Sequence, residues 1–446
     1  MPFRKFFNPA RILVLGFLSV IIIGTFLLTL PAASRKGVEV PVLSALFTAV
    51  SASTITGLVV MDTAQTWSVF GLTVILCMIQ MGGLGFMSVI TVFFFMMRKK
   101  IGLSQRLLMM QTMSLHDIQG VVRLVRHVLF GTLFFQGFGA LLLWTRFGPN
   151  YGLLRGLGMS IFHAVSAFCN AGFDLMDGEF TSLTEYFADA TVSIVITALV
   201  FIGGLGFFVW EDIWRNHNFR KLHVYSKLVL VSSFCLVVGS GVFYFFAERT
   251  NPYTFGAMSI PDAVLSSIFQ AVMPRSGGLA TVNQASLRGV SQMFTIILML
   301  IGGSAGSTAG GIKNVTVTIL ILSALASLRG KSRTSVFGRT LPAPQILSAL
   351  SIAVLVLTLC VGGAVVIAFI QPELGFTGIL FETTSAIATC GLSLGTTPAL
   401  KPVSQVIIML FMLFGRVGIM TLGMAVFFNR NKTEKIKYPD TWVIIG

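Results

Sequence analysis

Four stretches of this chain decide its architecture: Phe47-Thr-Ala-Val-Ser-Ala-Ser-Thr-Ile-Thr-Gly57, Phe162-His-Ala-Val-Ser-Ala-Phe-Cys-Asn-Ala-Gly172, Phe269-Gln-Ala-Val-Met-Pro-Arg-Ser-Gly-Gly278 and Phe381-Glu-Thr-Thr-Ser-Ala-Ile-Ala-Thr-Cys-Gly391. Each starts at a phenylalanine, runs through mostly small residues and stops at a glycine; the third is one residue shorter. A second landmark follows each: Met81-Gly-Gly-Leu-Gly-Phe86, Ile202-Gly-Gly-Leu-Gly-Phe207, Ile301-Gly-Gly-Ser-Ala-Gly306 and Phe414-Gly-Arg-Val-Gly418. Two landmarks recurring in one order mark an internal repeat. The expected repeats are residues 1–117, 118–222, 223–340 and 341–446.

The setting of these stretches is apolar. Of 446 residues, 55% are hydrophobic and 11% charged, against about 25% charged in a soluble domain. Too few charges remain to solvate a globular surface, so lipid must cover much of it. The runs Ile12–Leu30, Val69–Met97, Ala190–Trp210, Leu228–Phe246, Met293–Gly303, Ile346–Ile370 and Val406–Phe428 reach or approach the ~20 residues of a membrane helix. The first is longer than the ~7–15 residues of a signal-peptide core and reads as a retained helix. The five cysteines, Cys77, Cys169, Cys235, Cys360 and Cys390, show neither a disulfide framework nor metal-ligand spacing.

The expected fold is therefore an all-α integral membrane protein. Four helix–pore loop–helix repeats supply eight spanning helices and four re-entrant pore helices around a central pore. The re-entrant segments are too short to span, and Pro41 and Pro261 suit their first turns. Non-helical backbone at membrane depth is tolerated only when buried in protein or lining a watery cavity. Four such stretches can meet on one axis.

Net charge is +15, and its distribution is informative. Basic residues gather at Arg98–Arg126, Arg215–Lys227, Arg329–Arg339 and Arg430–Lys437. The alternate connections hold Glu39, Asp62, Asp174, Asp177, Glu179, Glu185, Asp189, Asp262, Glu373 and Glu382. The positive-inside rule puts the basic loops and both termini in the cytoplasm. The acidic segments then face outward, where they raise the local cation concentration. The basic excess signals topology, so no nucleic-acid partner is expected.

The loops themselves suggest the cargo. Thr54, Ile55, Thr56 and Gly57, then Asn170, Ala171 and Gly172, Ser276, Gly277 and Gly278, and Thr389, Cys390 and Gly391 are the expected ion-binding residues. A terminal glycine lets carbonyl oxygens turn toward an axis, and rings of carbonyls replace the hydration shell of K+. No carboxylate occurs among these residues, which disfavours a divalent-cation filter. No catalytic residue is expected.

Two departures from the fourfold pattern are candidate control elements. Gly302, Gly303, Ser304, Ala305, Gly306, Ser307, Thr308, Ala309, Gly310 and Gly311 interrupt the third inward helix as a gate, with Lys313 placed to repel or tether. Arg416 replaces a glycine of the other repeats inside the membrane, where charge is expensive and usually functional. It reads as an electropositive barrier beneath the filter, or as a partner of backbone carbonyls or of the hydroxyls of Ser304, Ser307 or Thr308. Two rival readings stand beside the channel. One is an ion-coupled secondary transporter; the other is an intramembrane hydrolase using Ser304, Ser307 or Ser276 with His163.

The repeats, the glycine in each loop, the small-residue break and Phe414-Gly-Arg-Val-Gly418 together resemble the Trk/Ktr/HKT superfamily of K+ transporters, and most closely its KtrB-type subunits. The resemblance covers the chain from Arg11 onward. It implies a homodimer with one pore per subunit, on a cytosolic ring of nucleotide-binding regulatory subunits. It also implies Na+-stimulated K+ uptake through the cell membrane, with no cofactor in this chain and any nucleotide on the partner. Arg98–Arg126 and the tail to Gly446 are the expected docking surface. The third loop departs from the pattern, reading Arg275-Ser-Gly-Gly-Leu279 where relatives carry Thr-Ala-Gly-Phe after the arginine.

Overall fold

Each landmark phenylalanine lies inside a short helix whose C-terminal end opens into the glycine-ended loop. The protein is described by a computed structural model covering residues 9–85, 121–176, 178 and 182–418. The same succession recurs four times: a first helix, a short helix, a loop and a second helix. In order these are α1 (Pro9–Leu28), α2 (Val42–Ser53), the one-turn α3 (Thr63–Thr66) and α4 (Val69–Leu84); then α5 (Val121–Tyr151), α6 (Leu153–Phe168), α7 (Ala190–Leu205) and α8 (Phe207–Asn216). They continue with α9 (Val224–Glu248), α10 (Ile260–Val272), α11 (Gly289–Leu300) and α12 (Asn314–Leu328). A two-stranded hairpin of Ser335–Val336 and Arg339–Thr340 precedes α13 (Ala343–Ile370), α14 (Phe376–Ile387) and α15 (Pro402–Val417).

Among the described residues, Arg126–Tyr151, Val224–Glu248 and Ala343–Ile370 are long and apolar enough to cross a membrane. Their outer faces expose Phe130 and Phe134, Phe234 and Val238, and Leu350 and Leu357, as lipid contact requires. The first of these helices is absent from the long runs read above, because Gly131, Gln136, Gly137 and Gly139 dilute it. The repeat logic demands a helix there, and one is present.

The second helices are shorter than continuous spans. Three stop at a glycine in the left-handed region: α4 at Gly85 (φ 81°), α7 at Gly206 (φ 94°) and α15 at Gly418 (φ 89°). All are the last glycine of the second landmark, and the third repeat has its counterpart in Gly306 (φ 68°). The break is thus not confined to the third repeat. In the second, the chain turns by 91° at Gly206 and resumes at once as α8.

The first glycine of the same landmark serves packing. A Cβ on Gly82, Gly203 or Gly415 would run into the carbonyl oxygen of Ser53, Phe168 or Ile387, near the ends of the short helices. Each second helix also packs on the next repeat's short helix: α4 on α6, α7 on α10, α11 on α14, and α15 on α2. The last contact closes the ring. Buried clusters fill the seams, with Phe47, Val50, Ile387 and Ile408 joining the fourth repeat to the first, and Ile296, Met299 and Phe381 joining the third to the fourth.

Pro261 lies in the first turn of α10, as expected; Pro41 is the residue before α2 and caps it from outside. Asp177, Glu179, most of Arg98–Arg126 and the tail after Gly418 lie outside the described residues.

Candidate functional site

The four short helices deliver their loops to one place. The residues two before the terminal glycines, Ile55, Asn170, Ser276 and Thr389, have φ of 55°, 56°, 75° and 46°. The glycines Gly57, Gly172, Gly278 and Gly391 have φ of 88°, 70°, 69° and 95°. The residues between them, Thr56, Ala171, Gly277 and Cys390, keep negative φ. The same alternation of backbone handedness thus recurs in all four loops. Asn tolerates the left-handed region; β-branched Ile55 and Thr389 are genuine outliers there. Such positions cost about 1–3 kcal/mol each and persist where surrounding structure over-determines them.

That structure is a repeated set of hydrogen bonds. Thr56, Ala171 and Cys390 donate their N–H groups to the carbonyls of Ser51, Ser166 and Ser385, each at 2.8 Å. The shorter third loop substitutes Gly277 N–H to Met273 O at 2.7 Å. Side chains of the same serines complete the clamp: Ser51 Oγ accepts Gly57 N–H and Ser385 Oγ accepts Gly391 N–H, both at 3.0 Å. Ser166 Oγ instead donates to Phe173 O at 2.6 Å. These serines were not among the candidate residues, yet the fifth position of the aligned stretches carried the signal.

The glycines meet in cyclic order. A Cβ on Gly172 would lie 3.0 Å from Gly278 Cα and 3.4 Å from Gly57 Cα; on Gly391 it would lie 3.2 Å from Gly57 Cα and 3.3 Å from Gly278 Cα. The carbonyl oxygens of Ala171, Cys390 and Thr56 stand directly against Gly57, Gly278 and Gly391. A Cβ at Gly57, Gly278 or Gly391 would collide with the abutting carbonyl oxygen, and one at Gly172 would crowd Gly278. All four glycines line a chamber of about 670 Å³ with Asp174, Ser182, Asn283 and Ser393, on the side of the acidic connections. Glu382 differs from its expected place: it is 1% exposed, inside α14.

Residues 302–311 lie on the opposite side. A Cβ on Gly310 would strike Thr389 Oγ1, and Gly310 N–H donates to Ser276 Oγ at 3.2 Å. Gly302 N–H donates to Ile312 O at 2.9 Å across the neck, and Lys313 Nζ donates to Ala309 O at 2.8 Å. Gly303 accepts from Asn314 N–H at 3.1 Å, Ser304 N–H donates to Gly204 O at 3.0 Å, and Phe207 N–H donates to Gly306 O at 2.9 Å. Ala305 O accepts from Tyr225 Oη at 3.0 Å. Ser307 Oγ donates to Ser304 O at 2.7 Å, and Thr308 Oγ1 to Phe168 O at 3.1 Å. Gly311, at φ 69°, turns the chain toward α12.

Arg416 reaches across from the fourth repeat. Its Nη1 donates to Thr308 O at 2.7 Å, and its Nη2 to Gly83 O at 3.2 Å and to Gly82 O. The expected carbonyl partnership is present, and the hydroxyls of Ser304, Ser307 and Thr308 take no part in it. One guanidinium thereby joins three repeats beneath the ring. The hydrolase geometry is not assembled: His163 is buried, its Nδ1 on Met159 O at 2.8 Å and its Nε2 on Leu175 N–H at 3.2 Å.

Comparison with known proteins agrees with this geometry. The sequence model of the TrkH family, described as a cation transport protein, matches residues 3–435. This chain belongs to the TrkH family of cation transport proteins. Among its relatives, the Ktr system potassium uptake protein B of Bacillus subtilis is 39% identical, with 99% of this chain and 97% of that protein covered. The potassium/sodium uptake protein NtpJ of Enterococcus hirae is 36% identical over 99% of this chain and 98% of that protein. The potassium transporter TrkH from Vibrio parahaemolyticus has the same fold, with a TM-score of 0.76 at 18% identity, covering 94% of this chain and 84% of that one. Family membership replaces the hydrolase reading with cation transport.

Proposed function

We propose that this TrkH-family chain takes up K+ across the cell membrane through the ring of Gly57, Gly172, Gly278 and Gly391. The observation that carries the reading is the closed cyclic contact of four loops with alternating backbone handedness, three of whose carbonyls abut the neighbouring glycine. Thr54 to Gly57, Asn170 to Gly172, Ser276 to Gly278 and Thr389 to Gly391 then form the filter. Short helices ending at each loop present their negative C-terminal ends to the same ion. Asp174 in the outer chamber adds attraction for cations before they enter.

Residues 302–311 are the gate in this reading, closed here by Arg416 and Lys313. Relatives named as potassium uptake proteins of a Ktr system support a multi-component assembly. The chain works as a homodimer, on a separate cytosolic nucleotide-binding ring, with both termini cytoplasmic and uptake stimulated by Na+. Proteoliposomes holding the purified chain test the reading. Rb+ should accumulate down its gradient and with voltage, in preference to Na+. Flux locked to a fixed co-ion stoichiometry would replace the channel by a coupled transporter.

A further inference from the structure

The residue after each landmark phenylalanine is polar and buried: Thr48, His163, Gln270 and Glu382 are at most 1% exposed. Its partners differ by repeat. Thr48 bonds only to its own helix, at Ser44 O. His163 accepts the N–H of Leu175, three residues past Gly172. Gln270 pairs its amide twice with Gln284, at 2.8 and 3.1 Å, six residues past Gly278. Glu382 does more. Its Oε1 accepts Ser393 Oγ at 2.5 Å, Thr396 Oγ1 at 2.7 Å and Leu394 N–H at 3.3 Å, while Oε2 accepts Thr397 Oγ1 at 2.6 Å.

All four donors come from residues 393–397, the segment leaving the ring just past Gly391. Ser393, Leu394 and Thr397 also line the outer chamber. No lysine or arginine among the described residues pairs with Glu382. A buried carboxylate ordinarily has a countercharge; this one has three hydroxyls, one amide and a cation path close by. In repeat three the matching residue, Gln270, pins its segment with a neutral amide.

We propose that Glu382 is a positioning residue for cation binding: it fixes residues 393–397 against α14 and holds a negative charge behind the fourth loop. Through both it sets the apparent K+ affinity and the preference for K+ over Na+. The inference rests on the K+-uptake reading above. Glu382→Gln keeps the volume, removes the charge and cannot accept all four bonds without turning NH2 donors toward donors.

The test is concentration-dependent Rb+ and Na+ uptake by the purified full chain in proteoliposomes. Glu382→Gln should raise the half-saturating Rb+ concentration by about tenfold, roughly 1.4 kcal/mol, and lower the Rb+ to Na+ uptake ratio. The maximal rate should stay within about twofold, and Glu382→Asp should recover part of the loss. A fall in maximal rate with unchanged half-saturation and ratio would reduce Glu382 to a fold-stabilising role and overturn the proposal. Unchanged values in Glu382→Gln, with altered selectivity in Gly391→Ser, would overturn it while leaving the filter intact. Unchanged selectivity in both variants would remove the filter reading as well. If Glu382→Gln fails to accumulate folded, Ser393→Ala with Thr396→Val removes two donors from the other side. Wild-type affinity and ratio in that variant would equally refute the proposal.

Discussion

The second helices of repeats two and three break at the same landmark and use the break differently. In repeat two, Gly206 absorbs the whole turn, and α8 starts on the next residue. In repeat three, α11 ends at Leu300 and α12 does not start until Asn314, so the intervening segment folds back under the glycine-ended loops. The two are joined: Ser304 and Thr308 of the third-repeat segment donate their N–H groups to the carbonyls of Gly204 and Gly203, and Phe207 N–H donates to Gly306 O. One glycine is enough to end a helix. A run of small residues is needed to enter the narrow space below Thr389 and Phe168, where Gly310 and Thr308 lie. Fourfold symmetry builds the ring, and one lengthened break fills the space beneath it.

The largest effect is expected where the four repeats remain equivalent. Gly57→Ser or Gly278→Ser puts a side chain at a left-handed position that already abuts its neighbour. Either should lower Rb+ preference over Na+ by tenfold or more, about 1.4 kcal/mol, in relative uptake assays; wild-type preference would sever the glycines from selectivity. Shortening residues 302–311 comes next and acts only on the asymmetric element. Flux should rise several-fold with selectivity preserved, and unchanged flux would show that the segment is not a gate. Arg416→Gln removes the strut to Thr308, Gly82 and Gly83. Loss of one charged group's hydrogen bonds, about 1.5–3 kcal/mol, should raise basal flux, by less than the deletion does; reduced flux with intact folding would assign Arg416 to conduction instead.

The smallest effect is expected at the outer rim. Lys401 sits 2.8 Å from Glu373 and, by hydrogen bonding, holds that exposed carboxyl below the usual carboxylate range. The pair's contribution to stability is complete above the ordinary carboxylate pKa and disappears as pH falls through the lowered value. Because both groups are half-exposed, water and salt screen the pair. Glu373→Gln should leave Tm and uptake near wild type at neutral pH; a marked loss would give the rim a role that the ring account lacks.

The recurrence of landmarks made the helix–loop–helix order, the glycine-ended loops and the third-repeat segment legible in the sequence. Hydrophobic runs alone were weaker: α5 is diluted by glycines and a glutamine, and only the repeat requires it. The strain at Ile55 and Thr389 was hidden, since neither residue type advertises a left-handed backbone. The serine clamp was visible as an aligned letter at Ser51, Ser166 and Ser385, but its task depends on how the loop returns over its helix. Glu382 looked like a surface acid because charge patterning counts residues along the chain. Burial, and the hydroxyls waiting for it 11 to 15 positions later, are set by the fold. Arg416 was conspicuous; its partners in repeats one and three were not, because they are distant in sequence and near only after the ring closes.

The most direct test of the central claim is to locate the ion. A structure of the purified protein determined in Rb+, with anomalous diffraction at the rubidium edge, should show density on the axis enclosed by Gly57, Gly172, Gly278 and Gly391, lost on exchange into Na+. Ordered Rb+ found elsewhere, with none in the ring, would contradict the account.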